Sequence, residues 1–321
     1  MIEEQKTIRE IDSVENFLRQ GKYREAIALG EEIHKAYPEE ESVLLILSWA
    51  YYDSGDTKKA LEHLNTLLDR ELKRKVFTGF AFDELVRIFK QENNFQKLVE
   101  ICERAVTAQP EDIGLLTELG NAYLQSGQSK KACGIYEKLI AIESDNPAFY
   151  CHWGNALFAA GLIEESEKAY LKASDIDPDQ ADHYYFKIAV LFQHAGNHRE
   201  AERLLNKCIA ACSANPLYYC SLGDSLIGLG QTQNALKAYE TAVQYDHSRA
   251  GAYYNRLGHA LMKTNLFSEA VEAFKSAIVH DAAQPYYLSL AAAYKGMGLT
   301  DQADKILCAV KELKKVDHLA S

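Results

Sequence analysis

The chain has 321 residues, of which 47% are hydrophobic and 25% charged, and its formal net charge is −11. An acidic surface repels nucleic-acid phosphates and anionic lipid headgroups, because both are bound chiefly through Lys and Arg. The composition therefore argues against nucleic acid as a partner. No apolar run approaches the length of a membrane-spanning helix, so we expect no membrane insertion.

The first residues give an indication of where the protein works. They are charged and form no apolar run of the kind found in signal peptides. The chain has seven cysteines, an odd number scattered over helical positions, which is typical of reduced thiols. We therefore expect a cytoplasmic protein.

A repeated marker organises the chain. A glycine is followed five residues later, in most cases, by a small residue, and the marker recurs at intervals of 33 to 38 residues. Asn stands in place of the glycine twice, and Asn tolerates a positive φ better than other side chains. The markers define nine repeats, at Gly21, Gly55, Asn93, Gly127, Gly161, Gly196, Gly230, Asn265 and Gly298.

Each repeat has two stretches of helical periodicity. In repeat four, Leu116, Gly120 and Tyr123 fall on one helix face ahead of the marker. A second helical pattern, with Ala132 and Tyr136, follows the marker. We expect two antiparallel helices that cross where their side chains are small, with an aromatic ring filling the remaining space. The small residues are Gly120, Gly154, Gly223 and Gly258 on first helices and Ala132, Ala201, Ala235 and Ala270 on second helices.

The repeats are less regular toward the N-terminus. Repeats one and two, over 7–74, are divergent, and four additional residues at 75–78 separate them from the rest. Seven repeats then occupy 79–317, and their last helix, from about Asp301 to Lys315, is predicted to cap the array with a lysine-rich surface.

These residues resemble the tetratricopeptide-repeat family. The family pattern over about 34 residues is an aromatic followed by Gly, a second Gly, an aromatic, an Ala and a Pro, and it is matched by Trp153-Gly154, Gly161, Tyr170, Ala173 and Pro178. The resemblance extends over residues 7–317. It implies an all-α fold, an α-solenoid in which antiparallel helix pairs build a right-handed superhelix, and a protein-interaction scaffold rather than an enzyme.

The resemblance also implies a binding surface. In this family a second stripe of the first helices lines the concave groove. Here that stripe is mixed apolar and polar, with His, Lys and Arg concentrated in repeats five to nine, which suits a partner segment with acidic and apolar side chains. The candidate groove residues are Asn121, His152, Asn155, His183, Phe186, Lys187, Asp224, Asn255, Arg256, His259 and Lys263.

Two sequence features could carry metal or thiol chemistry. His194 and His198 have a spacing that could grip a metal on one helix, but Gly196 between them predicts a turn, so we expect no metal site. Cys208 and Cys212 lie one helical turn apart, and buried packing is the favoured interpretation of both. The sequence contains none of the common phosphate-loop, nucleophile-elbow or zinc-protease motifs, so we expect no cofactor and no catalysis.

The favoured function is a scaffold or adaptor that binds a peptide or protein segment in the groove. Two alternatives stay open. One is a non-catalytic subunit of a larger enzyme or secretion assembly, and the other is a regulator that senses a peptide. The terminal repeats leave apolar faces unmatched, so a homo-oligomer is also compatible with the sequence.

Overall fold

The structure is a computed structural model that describes residues 2–74 and 79–317, with side chains described over 9–74 and 79–310. Across these ranges the chain forms α-helices and short turns, and no strand occurs in them. The chain divides into two compact units, Met1–Ser144 and Asp145–Ser321. Among the described residues, no helix combines the length and apolarity needed to cross a bilayer.

The first unit consists of antiparallel helix pairs, in which each odd-numbered helix packs on the next even-numbered one and each pair packs on the following pair. Its helices are α1 Ile2–Arg19, α2 Tyr23–Ala36, α3 Glu41–Asp53, α4 Thr57–Lys73, α5 Phe80–Gln91, α6 Phe95–Ala108, α7 Ile113–Gln125 and α8 Ser129–Ile142.

The second unit repeats the same arrangement. Its helices are α9 Pro147–Ala159, α10 Ile163–Ile176, α11 Ala181–His194, α12 His198–Ala211, α13 Pro216–Gly228, α14 Thr232–Tyr245, α15 Ala250–Lys263, α16 Phe267–His280, α17 Gln284–Gly296 and α18 Thr300–Asp317. The prediction of an all-α fold of antiparallel helix pairs is confirmed.

Two predictions fall on parts that the structure does not describe. The four additional residues at 75–78 lie outside the described residues, so the division of the array placed there stays a prediction. The last helix extends over Thr300–Asp317, close to its predicted bounds. Of its predicted cap lysines, Lys305 is exposed, and the side chains of the other three lie outside the described residues, namely Lys311, Lys314 and Lys315.

Local sequence sets where the helices begin. Asn146 and Asn215 precede α9 and α13, and each side-chain oxygen accepts a hydrogen bond from a backbone amide of the first turn. Pro147 and Pro216 take the first helical position, where a missing backbone N–H costs nothing. Pro147 and Pro216 thus recur at the same place in their repeats, at the start of the first helix.

The helix crossing follows the predicted pattern of small and aromatic residues. A Cβ added at Gly120 would lie 2.8 Å from the ring of Tyr136, and one at Gly258 would lie 2.5 Å from the ring of Phe274. Both rings are fully buried. The first helix of each such pair can approach its neighbour only because the glycine has no side chain.

The marker position adopts the left-handed backbone region in the two repeats that carry Asn. Asn93 has a φ of 54° and Asn265 a φ of 62°. The chain needs this conformation to reverse direction between the two helices of a pair. The interpretation of Asn as a substitute for glycine is therefore confirmed.

The crossing can be tested within one helix pair. Gly120→Ala is expected to lower the free energy of unfolding by about 1–3 kcal/mol, because the new methyl group meets the buried Tyr136 ring. Gly134→Ala on α8, where no atom lies within 4 Å of the added Cβ, should instead raise it by about 0.5–1 kcal/mol. Urea denaturation followed by circular dichroism measures both. Equal effects of the two substitutions would contradict the close crossing.

The turn can be tested at Asn265. Asn265→Ala should destabilise the protein by about 1 kcal/mol, because alanine pays the full steric cost of the left-handed region. Asn265→Gly should be neutral or stabilising. Asn206→Ala, on the exposed side of helix α12, is the matched control and should leave the thermal midpoint nearly unchanged. Equal thermal midpoints for Asn265→Ala and Asn265→Gly would contradict the requirement for a left-handed backbone at residue 265.

Candidate binding pocket

The second unit contains a pocket of about 550 Å³ formed by the first helices of repeats six, seven and eight, which are α11, α13 and α15. These three helices pack against one another in succession, so their outward stripes face a common space. The residues that line the pocket are Phe186, Val190, Gln193, His194, His198, Leu217, Ser221, Asp224, Ile227, Gly228, Arg256, His259, Ala260, Lys263 and Thr264.

Apolar side chains form part of this lining. Phe186 and Val190 come from α11, and Leu217 and Ile227 from α13. The Phe186 ring packs on Tyr218 at 5.0 Å between centroids, which fixes its position. Leu217 is 44% exposed, although it belongs to a well-packed helix. An exposed leucine beside an apolar pocket offers surface that a ligand can remove from water.

Asp224 and Arg256 form an ion pair between α13 and α15. The Arg256 Nε and Nη2 atoms donate to Asp224 Oδ2 at 3.0 and 2.7 Å, and Nη2 also donates to Ser221 Oγ at 3.0 Å. The buried hydroxyl of Tyr239 donates to Asp224 Oδ1. The charge of Arg256 is therefore compensated by Asp224, and this half-buried pair links two adjacent repeats.

In two other repeats, the residue equivalent to Asp224 also accepts a hydrogen bond from a core tyrosine. Tyr170 donates its hydroxyl hydrogen to Asn155 at 2.6 Å, and Tyr136 donates to Asn121 at 2.8 Å. In each pair the acceptor lies fifteen residues before the tyrosine. These two candidate groove residues thus also hold the core aromatic ring of their own repeat. Asn121 and Tyr136 both belong to the first unit.

Three exposed groups edge the pocket: His194 at the end of α11, and His259 and Lys263 on α15. We call these three residues the rim. The Nε2 atom of His259 lies 3.2 Å from Ser289 Oγ, and its ring meets Phe274 edge-on. Burial lowers the pKa of His259 below its usual range, and the positive charge of Lys263 lowers it further.

His198 reaches the pocket from a direction that the sequence did not suggest. It begins α12 after the turn at Gly196, and it still lines the same pocket as His194. Its ring occupies the space that a side chain at Gly228 would fill, because an added Cβ there would lie 2.4 Å from ring atoms. In the sequence, Gly228 at the end of α13 points to this contact, but the contact can be recognised only when it is known which helices pack together.

The remaining candidates do not line the pocket. His183 is exposed on α11, and Lys187 places its Nζ 3.4 Å from Cys151 Sγ. Burial lowers the pKa of His152, and Lys187 lowers it further. Asn255 has a buried Oδ1 atom without a hydrogen-bond partner. The structure therefore brings five candidates together in the pocket, which are Phe186, Asp224, Arg256, His259 and Lys263.

The structure supports the packing interpretation for Cys208, whereas Cys212, just past the end of α12, is only half-buried. Cys208 and Cys220 are fully buried, and burial raises the pKa of each thiol to about 12. Such thiols stay protonated at neutral pH and react slowly. Across the part of the chain that the structure describes, no group of three or more His, Cys, Asp or Glu residues is arranged to hold a metal ion.

The comparisons with known proteins agree with this geometry. Family models described as "Tetratricopeptide repeat" match residues 17–76, 115–147, 151–216 and 220–294. A tetratricopeptide-repeat protein from Parabacteroides merdae, solved by crystallography, has a TM-score of 0.52 at 18% identity, with 79% of this chain and 98% of that chain covered. At that identity the likeness supports the fold alone.

The curated relatives are longer proteins than this chain. The Homo sapiens aspartyl/asparaginyl beta-hydroxylase is 25% identical over 203 residues, which cover 60% of this chain and 27% of the enzyme. A repeat-containing protein from Methanocaldococcus jannaschii is 22% identical over 282 residues, covering 79% of this chain and 48% of that protein. The chain thus spans about a quarter to a half of the length of these relatives. Because the repeat models cover most of its length and the helix pairs follow the repeat geometry, the chain belongs to the tetratricopeptide-repeat family.

Proposed function

We propose that this protein is a scaffold or adaptor that binds a segment of another protein in the pocket formed by α11, α13 and α15. The observation that carries this proposal is a pocket of about 550 Å³ on the stripe by which the family binds its partners. A volume of this order suits one or two large side chains of a bound segment.

The apolar part of the lining supports side-chain capture. Phe186, Val190, Leu217 and Ile227 offer carbon surface, and Leu217 stays exposed in the free protein. Burying an aliphatic or aromatic side chain contributes roughly 1.5–3 kcal/mol. A segment that places one such side chain in the pocket therefore gains more than a segment bound through charges alone.

The polar part of the lining supports a preformed site. Gln193 Nε2 donates to the Ser221 carbonyl at 2.7 Å and to Ser225 Oγ at 2.8 Å, which ties α11 to α13. The Asp224–Arg256 pair ties α13 to α15. A lining held by its own hydrogen bonds loses little conformational entropy when a ligand arrives.

The same contacts favour binding over catalysis. The Ser221 hydroxyl accepts a hydrogen bond from Arg256, and Asp224 accepts from Arg256 and Tyr239. Each of these groups is engaged in holding the repeats together. A nucleophile needs an adjacent general base, and Ser221 faces a permanently charged guanidinium instead. We therefore assign this pocket a non-catalytic role.

We further propose that the bound segment extends over α9 and α11, past Asn155, His152, His183 and Lys187, with Asn255 at the edge of the surface. Repeat five directly precedes repeat six, and Lys187 Nζ of α11 reaches Cys151 Sγ of α9 at 3.4 Å. Asn121 in the first unit stays a prediction of its own. Arg256 is unsuited to a charge-reversal test, because Glu at this position would face Asp224 and destabilise the fold.

A second candidate function is a repeat section that serves an enzyme on another domain or chain. The match to the aspartyl/asparaginyl beta-hydroxylase favours it, because 27% of that enzyme resembles 60% of this chain. In this case the pocket would hold a segment of the enzyme or of its substrate. Both candidate functions require a protein segment to bind in the pocket, so a peptide-binding measurement tests both.

The pocket can be tested with peptides. Peptides selected from a random displayed library on the immobilised protein, then labelled and titrated by fluorescence anisotropy, should bind about tenfold more weakly to Leu217→Asp, because a buried carboxylate replaces apolar contact. Leu162→Asp is the matched control, since Leu162 is equally exposed at 44% and lies outside the lining. The control should bind like the wild type. A library that yields no binder, or equal losses in the two variants, would refute the proposed function.

A further inference from the structure

We propose that the bound segment places a carboxylate side chain against the rim, which consists of His194, His259 and Lys263, and that protonation of the rim imidazoles strengthens the complex. This inference rests on the proposed function and adds to it the chemistry of the partner and a dependence on pH. The occupant is a segment of another protein in which an Asp or Glu stands beside a large apolar residue.

The charged groups of the lining favour an acidic ligand. Asp224 and Arg256 neutralise each other, so neither presents net charge to a ligand. Lys263 then leaves one positive charge, and the imidazoles of His194, His198 and His259 line the same pocket. The charged and titratable groups of the lining come from α11, α12, α13 and α15, and they are His194, His198, Asp224, Arg256, His259 and Lys263.

The geometry of the rim also favours an acidic ligand. His259 and Lys263 lie one helical turn apart on α15, and both are exposed. His194 ends α11 and belongs to the same pocket. The helices behind His259 contribute uncharged groups to it, namely the Phe274 ring of α16 and the Ser289 hydroxyl of α17. A carboxylate at the rim thus meets donors and cations while its apolar neighbour enters the pocket.

The direction of the pH effect follows from His259. Burial and then Lys263 lower the pKa of this imidazole in the free protein, so it is mostly neutral at neutral pH. A carboxylate bound beside it favours the charged form and raises that pKa. Binding therefore takes up protons, and affinity rises as pH falls from about 7.5 to about 5.5. The gain ends near pH ~4, where the ligand carboxylate itself takes up a proton.

The experiment uses the full chain and the peptides selected in the pocket test, with the selection repeated at about pH 6. We expect the peptides to be enriched in Asp or Glu beside a large apolar residue. Affinity should be several-fold higher at pH ~5.5 than at pH ~7.5, because each imidazole that takes up a proton beside the carboxylate gains a favourable charge pair. Peptides resynthesised with Asn or Gln at the acidic position should lose this dependence.

Two double variants separate the rim from other histidines. His194→Gln with His259→Gln should remove most of the pH dependence and leave binding at about pH 7.5 nearly unchanged, because Gln keeps polarity without the titrating charge and only His198 of the lining remains. His247→Gln with His280→Gln is the matched control, since both histidines are exposed and neither lines the pocket. This control should retain the full pH dependence.

The outcomes distinguish the two proposals. Peptides that lose affinity in Leu217→Asp but bind equally at both pH values, or with a neutral residue in place of the carboxylate, would overturn the rim inference and leave the pocket standing. A library without binders would refute the pocket itself. Retention of the pH dependence in the rim double variant would show that groups other than His194 and His259 titrate with binding.

Discussion

The close contact between a helix backbone and a buried aromatic ring is the constraint on which the pairs in repeats four, five, seven and eight depend. Gly154 and Gly223 approach Tyr170 and Tyr239 so closely that an added Cβ would lie 2.6 Å from ring carbons. The ring fills the space left by the absent side chain, and it is 0–1% exposed. Because the hydroxyl of each tyrosine then extends past the crossing, it needs a partner on the first helix.

That partner connects the core to the binding surface. Asn155 accepts from Tyr170, and Asp224 accepts from Tyr239. These acceptors belong to the stripe proposed here for binding, so in that proposal the same side chain serves packing and the binding surface. Where the acceptor is Asp rather than Asn, its charge requires compensation, and Arg256 of the next repeat provides it. The polar character of the pocket thus follows from a packing requirement.

Periodicity made the repeat count, the helix pairs and the left-handed turns predictable. The substitution of Asn265 for glycine predicted a positive φ because few other side chains tolerate it. The pocket was less accessible, because its contacts join residues in different repeats. In the sequence Arg256 was counted among the cationic groups of the groove, and its ion pair with Asp224, 32 residues earlier, could not be predicted. The position of His198 depended on the turn at Gly196, which brings the start of α12 beside the end of α13.

The Asp224–Arg256 pair has a consequence for how this gene can change. Repeat arrays evolve by duplication and deletion of whole repeats, which requires neighbouring repeats to be interchangeable. Repeat seven carries a carboxylate whose counter-charge is encoded in repeat eight. Deleting either repeat alone would leave an uncompensated charge among half-buried groups, whereas losing or copying both together would preserve the balance. Repeats seven and eight therefore form an electrostatically matched pair.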